Sequence, residues 1–414
     1  MTRSHYHLLL LNIISIVFYA IIFFNLKVTI ASDIMFSTPD AGTYKNVADW
    51  LMFGIETESV STRPILYPLI ILITTYIGGV YGLWFLQFVF WLVSINLTYQ
   101  IIKQITQSNL YSYIGALFLM SNLSLIALTL HGLTEITTVF LLSVLIFYIA
   151  KKKEDYSSIY FFQICVFILV LLTVVKPTFT IPLLILLLIV FPIFYLRKYL
   201  KNPVKFLKLS LILLPLIIQL SIIKTKYGEV KVSLIGSNTL REYIIPQGIE
   251  KIEEISFEEA KIKSRAFNQK EQFDYLSSHI VTYTGLFFTN IRDNLKGSPT
   301  FLLYPKGYEH KQMAKFETKY NRVFLVLNIL FTALIISLLI LLFKNRDISS
   351  FVFLFSSFSL LQYYIFVTGI SFWQGDRLTL PAIAICACIF PITVFYYLKI
   401  FRQRKHQLTE LNTN

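Results

Sequence analysis

Apolar positions in this chain come in long unbroken blocks separated by short polar stretches. Blocks at about 8–30, 80–102, 110–130, 133–150, 159–177, 180–196, 206–224, 322–343, 349–370 and 378–400 each run about 17 to 25 residues, enough helix to cross ~30 Å of hydrocarbon. The block at 65–77 is shorter and lies between Pro64 and Gly78-Gly79, so it is expected to be re-entrant or interfacial. The pattern predicts an all-α integral membrane protein with about ten transmembrane helices plus that one shorter segment. Residues 1–26 carry Arg3 ahead of an apolar run, as a signal peptide does. The run from Leu8 to Leu26 is long and further spans follow, so an uncleaved first helix is expected.

Composition agrees with the pattern: 56% of residues are hydrophobic and only 14% charged, which a soluble fold does not tolerate. The net charge of +14 would in a soluble protein point to nucleic acid. Here the basic residues sit in short runs between apolar blocks, which is a signature of topology and excludes a nucleic-acid partner. If 65–77 does not cross, one side collects Arg3, Lys103, Lys151, Lys152, Lys153, Arg197, Lys198, Lys201, Lys205, Lys344, Arg346, Arg402, Arg404 and Lys405. That is the positive-inside arrangement, and it places both termini in the cytoplasm. Cys165, Cys386 and Cys388 fall inside apolar blocks, where packing is their expected role.

The same parity puts a first outer loop (31–64), His131, Glu135, Lys176, a long outer loop (225–321) and Phe372–Arg377 on the other face. The membrane domain spans 1–405 and contains both loops; 406–414 is a cytoplasmic tail. The long loop is nearly balanced, with 14 Lys/Arg against 12 Asp/Glu over 225–320. Within it Ile252, Ile255, Ile262, Ala266, Phe273 and Leu276 recur at three-, four- and seven-residue spacings, which predicts an amphipathic helix. No repeat of fixed period, low-complexity segment or linker to a soluble domain is present.

Chemistry-bearing residues concentrate on that outer face. In the first loop, Pro39-Asp40 starts a short helix on which Asp40, Tyr44 and Val47 share one side. Asp40 is then either a helix cap or a functional carboxylate. Glu135, in HGLTEITTVFLL, stands one residue inside the membrane edge, as an acid stabilised by the helix dipole or one facing a polar cavity. Lys176-Pro177 ends a span on the side where the positive-inside rule disfavours lysine, so Lys176 either snorkels to headgroups or meets an anionic phosphate. Arg377, in FWQGDRLTLPA, either pairs with Asp376 beside it or joins Arg63 and Lys176 in holding a phosphate or diphosphate through forked hydrogen bonds. The sequence has no nucleotide-binding glycine motif, no His/Cys metal cluster and no serine nucleophile elbow.

Taken together, PDAGTYKNVADWL, STRPILYPLI, HGLTEIT, VVKPTF and GDRLTLPA resemble the GT-C superfamily of polytopic glycosyltransferases, in the protein mannosyltransferase and aminoarabinose transferase branch. By that resemblance Asp40 and Glu135 are the catalytic acids, and Tyr44, Arg63, Lys176 and Arg377 stand at motif positions expected to bind substrate; His131, placed on the same face by the topology, is expected to join them. Many members carry two adjacent acids in the first loop where this chain has Asp40-Ala41, so a metal is left unassigned and no cofactor is certain beyond an open divalent cation. No large soluble carboxyl-terminal domain follows the last span in this reading, so the oligosaccharyltransferase branch is not the one expected.

The resemblance implies inverting transfer of one sugar from a dolichyl- or undecaprenyl-phosphate type of carrier to a hydroxyl of a lipid, glycan or protein acceptor. The site would lie on the outer face of a cell membrane, a bacterial inner membrane being the expected one. Asp40 would accept the acceptor's proton while Lys176, Arg63 and Arg377 stabilise the departing phosphate. The competing readings are a flippase or transporter of lipid-linked saccharides and a polysaccharide polymerase. Against transport, no inverted repeat and no matching pair of broken helices is visible.

The topology is tested by cysteines introduced at Lys152 and Lys261 and probed with an impermeant thiol reagent in intact cells. Position 261 labels from outside and position 152 only after permeabilisation. External labelling of position 152 would sink the ten-span arrangement.

Overall fold

The structure, a computed structural model, describes residues 3–26, 29–153, 155–201, 203–296, 311–371 and 375–413. Among them there is no strand. Seven helices among the described residues are long and apolar enough to cross a membrane: Tyr6–Asn25, Leu66–Thr106, Pro177–Leu200, Val204–Tyr227, Lys315–Lys344, Ile348–Ile370 and Leu380–Gln403. The chain is therefore an all-α protein of membrane-spanning character. Large apolar side chains such as Val17, Phe24, Leu188, Leu211, Ile329 and Phe343 face outward on these helices, as lipid contact requires.

The helices, in chain order, begin with α1 (Arg3–Leu26), α2 (Ser32–Met35), α3 (Pro39–Phe53) and α4 (Leu66–Thr106). The expected separation of 65–77 from 80–102 is realised inside α4, where Gly78 and Gly79 leave helical geometry. Gly79 has φ +58 and ψ −152, a conformation open in practice to glycine alone. The first half, 66–77, is ~18 Å long, short of a hydrocarbon core.

The block at 110–130 differs from the single span expected of it. It divides into α5 (Asn109–Met120) and α6 (Leu123–Leu128), because the Asn122 side chain accepts from Leu125 N–H at 2.9 Å and starts a new helix. The next helices are α7 (Glu135–Lys151) and α8 (Ile159–Val175), of 17 residues each and so ~25 Å long. α7 is buried along most of its length and packs against α4, α8 and the last helix, forming the centre of the bundle.

After Lys176 the chain continues through α9 (Thr180–Ile185), a π-helical run over Leu186–Tyr195, α10 (Leu196–Leu200) and α11 (Pro203–Tyr227). The segment expected to form the long outer loop then makes α12 (Ile235–Thr239), α13 (Ile245–Glu253), α14 (Phe257–Ala266), α15 (Gln269–Ser278) and α16 (Ile280–Lys296). The single amphipathic helix read through Ile252–Leu276 is instead parts of three. Two capping boxes, Ser256 with Glu259 and Asn268 with Glu271, end one helix and begin the next. As a result Ile262 and Phe273 are 69% and 70% exposed, and only Ile245, Ile249 and Ala260 form a small core. The chain closes with α17 (Lys311–Lys344), α18 (Ile348–Val367) and α19 (Leu380–Thr413).

The two ends of α7 mark two ends of the bundle. Around Lys151 the short polar loops meet: Lys198 Nζ and Tyr195 hydroxyl donate to the carbonyls of Ser157 and Tyr156, and Gln163 Nε2 donates to Lys205 C=O at 3.3 Å. Around Glu135 the 40–63 segment, Lys176, the 231–243 segment and Arg377 converge instead.

Replacing Gly79 by Ala forces a Cβ into a backbone conformation that costs roughly 1–3 kcal/mol. Gly285→Ala, in open space within helical α16, is neutral or stabilising by up to about 1 kcal/mol. The melting temperature in detergent should fall for Gly79→Ala and hold or rise for Gly285→Ala, and a stable Gly79→Ala protein would show the break to be unnecessary.

Candidate functional site

Asp40 is delivered by α3. Thr38 caps that helix, its hydroxyl accepting from Ala41 N–H at 3.1 Å; Pro39 fills the first position, and Gly54 closes it with φ +69. Asp40 is therefore not the cap, and its carboxylate is free for another partner. That partner is double: Arg63 Nη2 donates to Oδ1 and Arg377 Nη2 donates to Oδ2. Arg377 reaches across the fold to Asp40; the pair with neighbouring Asp376 weighed for it falls on a side chain that lies outside the described residues.

Each guanidinium has further support. Arg63 Nε donates to Thr43 Oγ1 at 2.8 Å, and its guanidinium lies over the Tyr44 ring at 4.8 Å. Tyr44 is buried and meets Tyr67 edge-on with centroids 5.1 Å apart. Arg377 Nε lies 3.2 Å from Glu135 Oε1, close enough for an ion pair though not aligned as a hydrogen bond. Glu135, buried in the first turn of α7 where the helix dipole favours an acid, also accepts from Lys176 Nζ at 3.4 Å. Lys176 in turn faces the Tyr364 ring at 5.7 Å.

Three cations and two carboxylates thus form one connected group with a formal charge of 3 − 2 = +1. Burial raises the Asp40 pKa, but the Arg377 and Arg63 charges outweigh it and hold the carboxyl well below the usual range. Asp40 is ionised at every physiological pH.

These residues line a cavity of about 1130 Å³. Asp40, Tyr44, Arg63, Glu135, Lys176 and Arg377 all border it, so six of the seven residues singled out in the sequence come together. His131 does not: it is buried, lies outside the cavity wall, and its carbonyl accepts from Gln87 Nε2 at 3.0 Å. Asp49, on another face of α3, pairs with Lys45 at 2.6 Å. Beyond the charged end the wall is apolar, made by Ile181, Leu184 and Leu187 before and within the π-helical run, Leu216 and Leu220 of α11, and Phe366 and Val367 of α18. The outer rim carries Glu242, whose carboxylate takes Arg265 through both oxygens. Two buried wall atoms, Glu135 Oε2 and Thr178 Oγ1, have no hydrogen-bond partner, a cost of about 1–3 kcal/mol each unless a ligand meets them. Among the described residues no group of three or more His, Cys, Asp or Glu could hold a metal ion, so the open divalent cation has no donor set there.

Several residues that hold the site were not apparent in the sequence. Gln219, buried in the middle of α11, accepts from Ile65 N–H at 3.0 Å and donates to Val232 C=O at 2.7 Å. Ser233 Oγ donates to Thr62 C=O at 2.7 Å. Together they tie the Arg63 turn to the outer-loop segment. On the opposite wall Asn290 and Asn294 of α16 donate to the carbonyls of Gly369, Thr368 and Ser371, and α16 packs on the 375–378 turn that carries Arg377. A polar side chain in the middle of an apolar span was the one available signal, and it applied to Gln219 alone. No protein-family model, curated protein or solved structure matches this chain.

Gln219→Ala leaves two buried backbone groups unpaired, each worth about 1–3 kcal/mol. The expected result is a clear fall in melting temperature in detergent. An unchanged melting temperature would mean that the turn holding Arg63 does not depend on this tether.

Proposed function

We propose that the chain is a membrane glycosyltransferase moving a sugar from a polyprenyl-phosphate carrier to an acceptor hydroxyl on the extracytoplasmic face, with inversion. The observation that carries this reading is a carboxylate held between two guanidiniums, at one end of a cavity whose other end is apolar. Ile181 and Leu184 line that apolar end and are 53% and 45% exposed, apolar surface that an isoprenoid chain would cover.

The charged end suits the remainder of such a donor. Arg63, Arg377 and Lys176 offer forked and point-charge donors for a phosphate. Glu135 Oε2 and Thr178 Oγ1, buried without partners, are placed to meet sugar hydroxyls. Asp40 accepts the proton of the attacking hydroxyl, and the cations stabilise the charge that develops on the leaving phosphate. With a donor already activated and already in the membrane, no nucleotide site is required. A flippase would use the same cations and apolar wall but would have no need of Asp40 as a proton acceptor.

The test starts from the lipid-linked sugar that accumulates in cells lacking the protein, which serves as donor in a transfer assay with purified enzyme. Asp40→Asn lowers transfer by about 10²–10⁴-fold, roughly 3–5 kcal/mol of barrier. Asp49→Asn, which loses only an exposed pair with Lys45, stays within about twofold of wild type. If Asp40→Asn keeps more than about a tenth of the activity while Asp49→Asn abolishes it, the base is misassigned. Full transport of the lipid without any sugar transfer would establish the flippase instead.

A further inference from the structure

We infer that this site works by anion exchange: Asp40 serves as the internal counterion of Arg63 and Arg377 until a phosphate ester on the substrate takes the two guanidiniums, and only then is its carboxylate free to accept a proton. The inference rests on the reading of Asp40 as the base and of a phosphate-linked donor, and adds to it when the base becomes competent.

The geometry has two parts. Asp40 commits one oxygen to each guanidinium, so neither oxygen is left as a good proton acceptor in the resting site. Efficient proton transfer needs a base whose pKa lies near the working pH, and a carboxylate pinned between two arginines is far below it. The arginines, by contrast, do not depend on Asp40 to stay in place. Arg63 is also fixed by Thr43 and by the Tyr44 ring, and Arg377 by Glu135. A phosphate can therefore replace the Asp40 oxygens on the two Nη2 groups without rearrangement of the loops. A phosphate oxygen pair meets the same fork of donors as a carboxylate.

Charge conservation fits the exchange through the whole reaction. The five linked groups carry +1, and a phosphodiester donor carries −1, so the occupied site is neutral. During transfer the acceptor oxygen bonds to the anomeric carbon. The bond from that carbon to the phosphate oxygen breaks, its electron pair staying on the phosphate, which becomes a dianionic monoester. The acceptor's proton moves to Asp40, which becomes neutral, and the protein group rises to +2 against −2. The sum is again zero, which matters in a cavity where unbalanced charge is poorly screened. When the product leaves, the guanidiniums return to Asp40 and expel its proton to solvent, since a neutral carboxyl between two arginines is the disfavoured form.

Calorimetric binding of farnesyl phosphate, a short isoprenoid phosphate, to the full-length protein in detergent tests the exchange without any transfer step. Asp40→Asn has no internal anion to displace and is expected to bind about tenfold more tightly than wild type, or better still, while Asp49→Asn binds as wild type does. Equal or weaker binding by Asp40→Asn overturns the exchange and leaves the donor reading standing. Absence of binding to any form overturns both. A second measurement needs no variant to fold: the infrared difference spectrum of the wild-type protein should show a carboxylate stretch moving when farnesyl phosphate is added, and an unchanged spectrum also overturns the exchange.

Discussion

The charged group formed by Asp40, Arg63, Arg377, Glu135 and Lys176 is the constraint that one end of this bundle is built around. Five ionised side chains at the edge of an apolar bundle are tolerable only if each finds an opposite charge, because an isolated ion there would pay several kcal/mol of lost hydration. The first loop, the start of α7, the end of α8 and the turn before α19 must all arrive at one place to satisfy that demand. Electrostatic pairing thus does in this region what apolar packing does in the rest of the bundle.

The supporting shell follows from the same demand. A guanidinium between two acids is useful only if its backbone is held, and the chain holds each arginine from a different side. Gln219 and Ser233 tie the Arg63 turn to the segment after α11, and Asn290 and Asn294 tie the segment leading to Arg377 under α16. A Cβ at Gly369 would lie within 3 Å of the Phe287 ring of α16, which would then have to shift. The α12–α16 helices therefore act as a brace for the site, and some of their charges, such as Glu242 with Arg265 and Glu253 with Lys263, pair within the segment.

The cavity also joins two environments that a phosphate-linked lipid joins in one molecule. Its charged end sits against the buried first turn of α7, and its apolar end is walled by α11, α18 and the irregular stretch from α9 into the π-helical run. Unpartnered Glu135 Oε2 and Thr178 Oγ1 stand between them. An apolar wall, excess positive charge and unmet polar atoms thus coincide in one space, and the proposed lipid-linked donor is argued from that coincidence.

The apolar blocks by themselves determined that the chain is all-helical and membrane-spanning, since a run of about twenty apolar residues has few other fates. Charge placement also grouped Asp40, Tyr44, Arg63, Glu135, Lys176 and Arg377 on one face, because lipid restricts ionisable groups to loops, rims and cavities. Local pattern was less informative where short-range hydrogen bonds compete with it. Asn122 split one expected span, and Ser256 and Asn268 divided one expected helix. Thr38, two residues earlier, took the capping role open to Asp40. Only the tertiary structure decided that Asp40 bridges two arginines, that His131 stays out of the cavity, and that Gln219, Asn290 and Asn294 hold the site. Those contacts join residues tens to hundreds of positions apart, and the energy that selects them depends on distance and burial, which spacing along the chain does not encode.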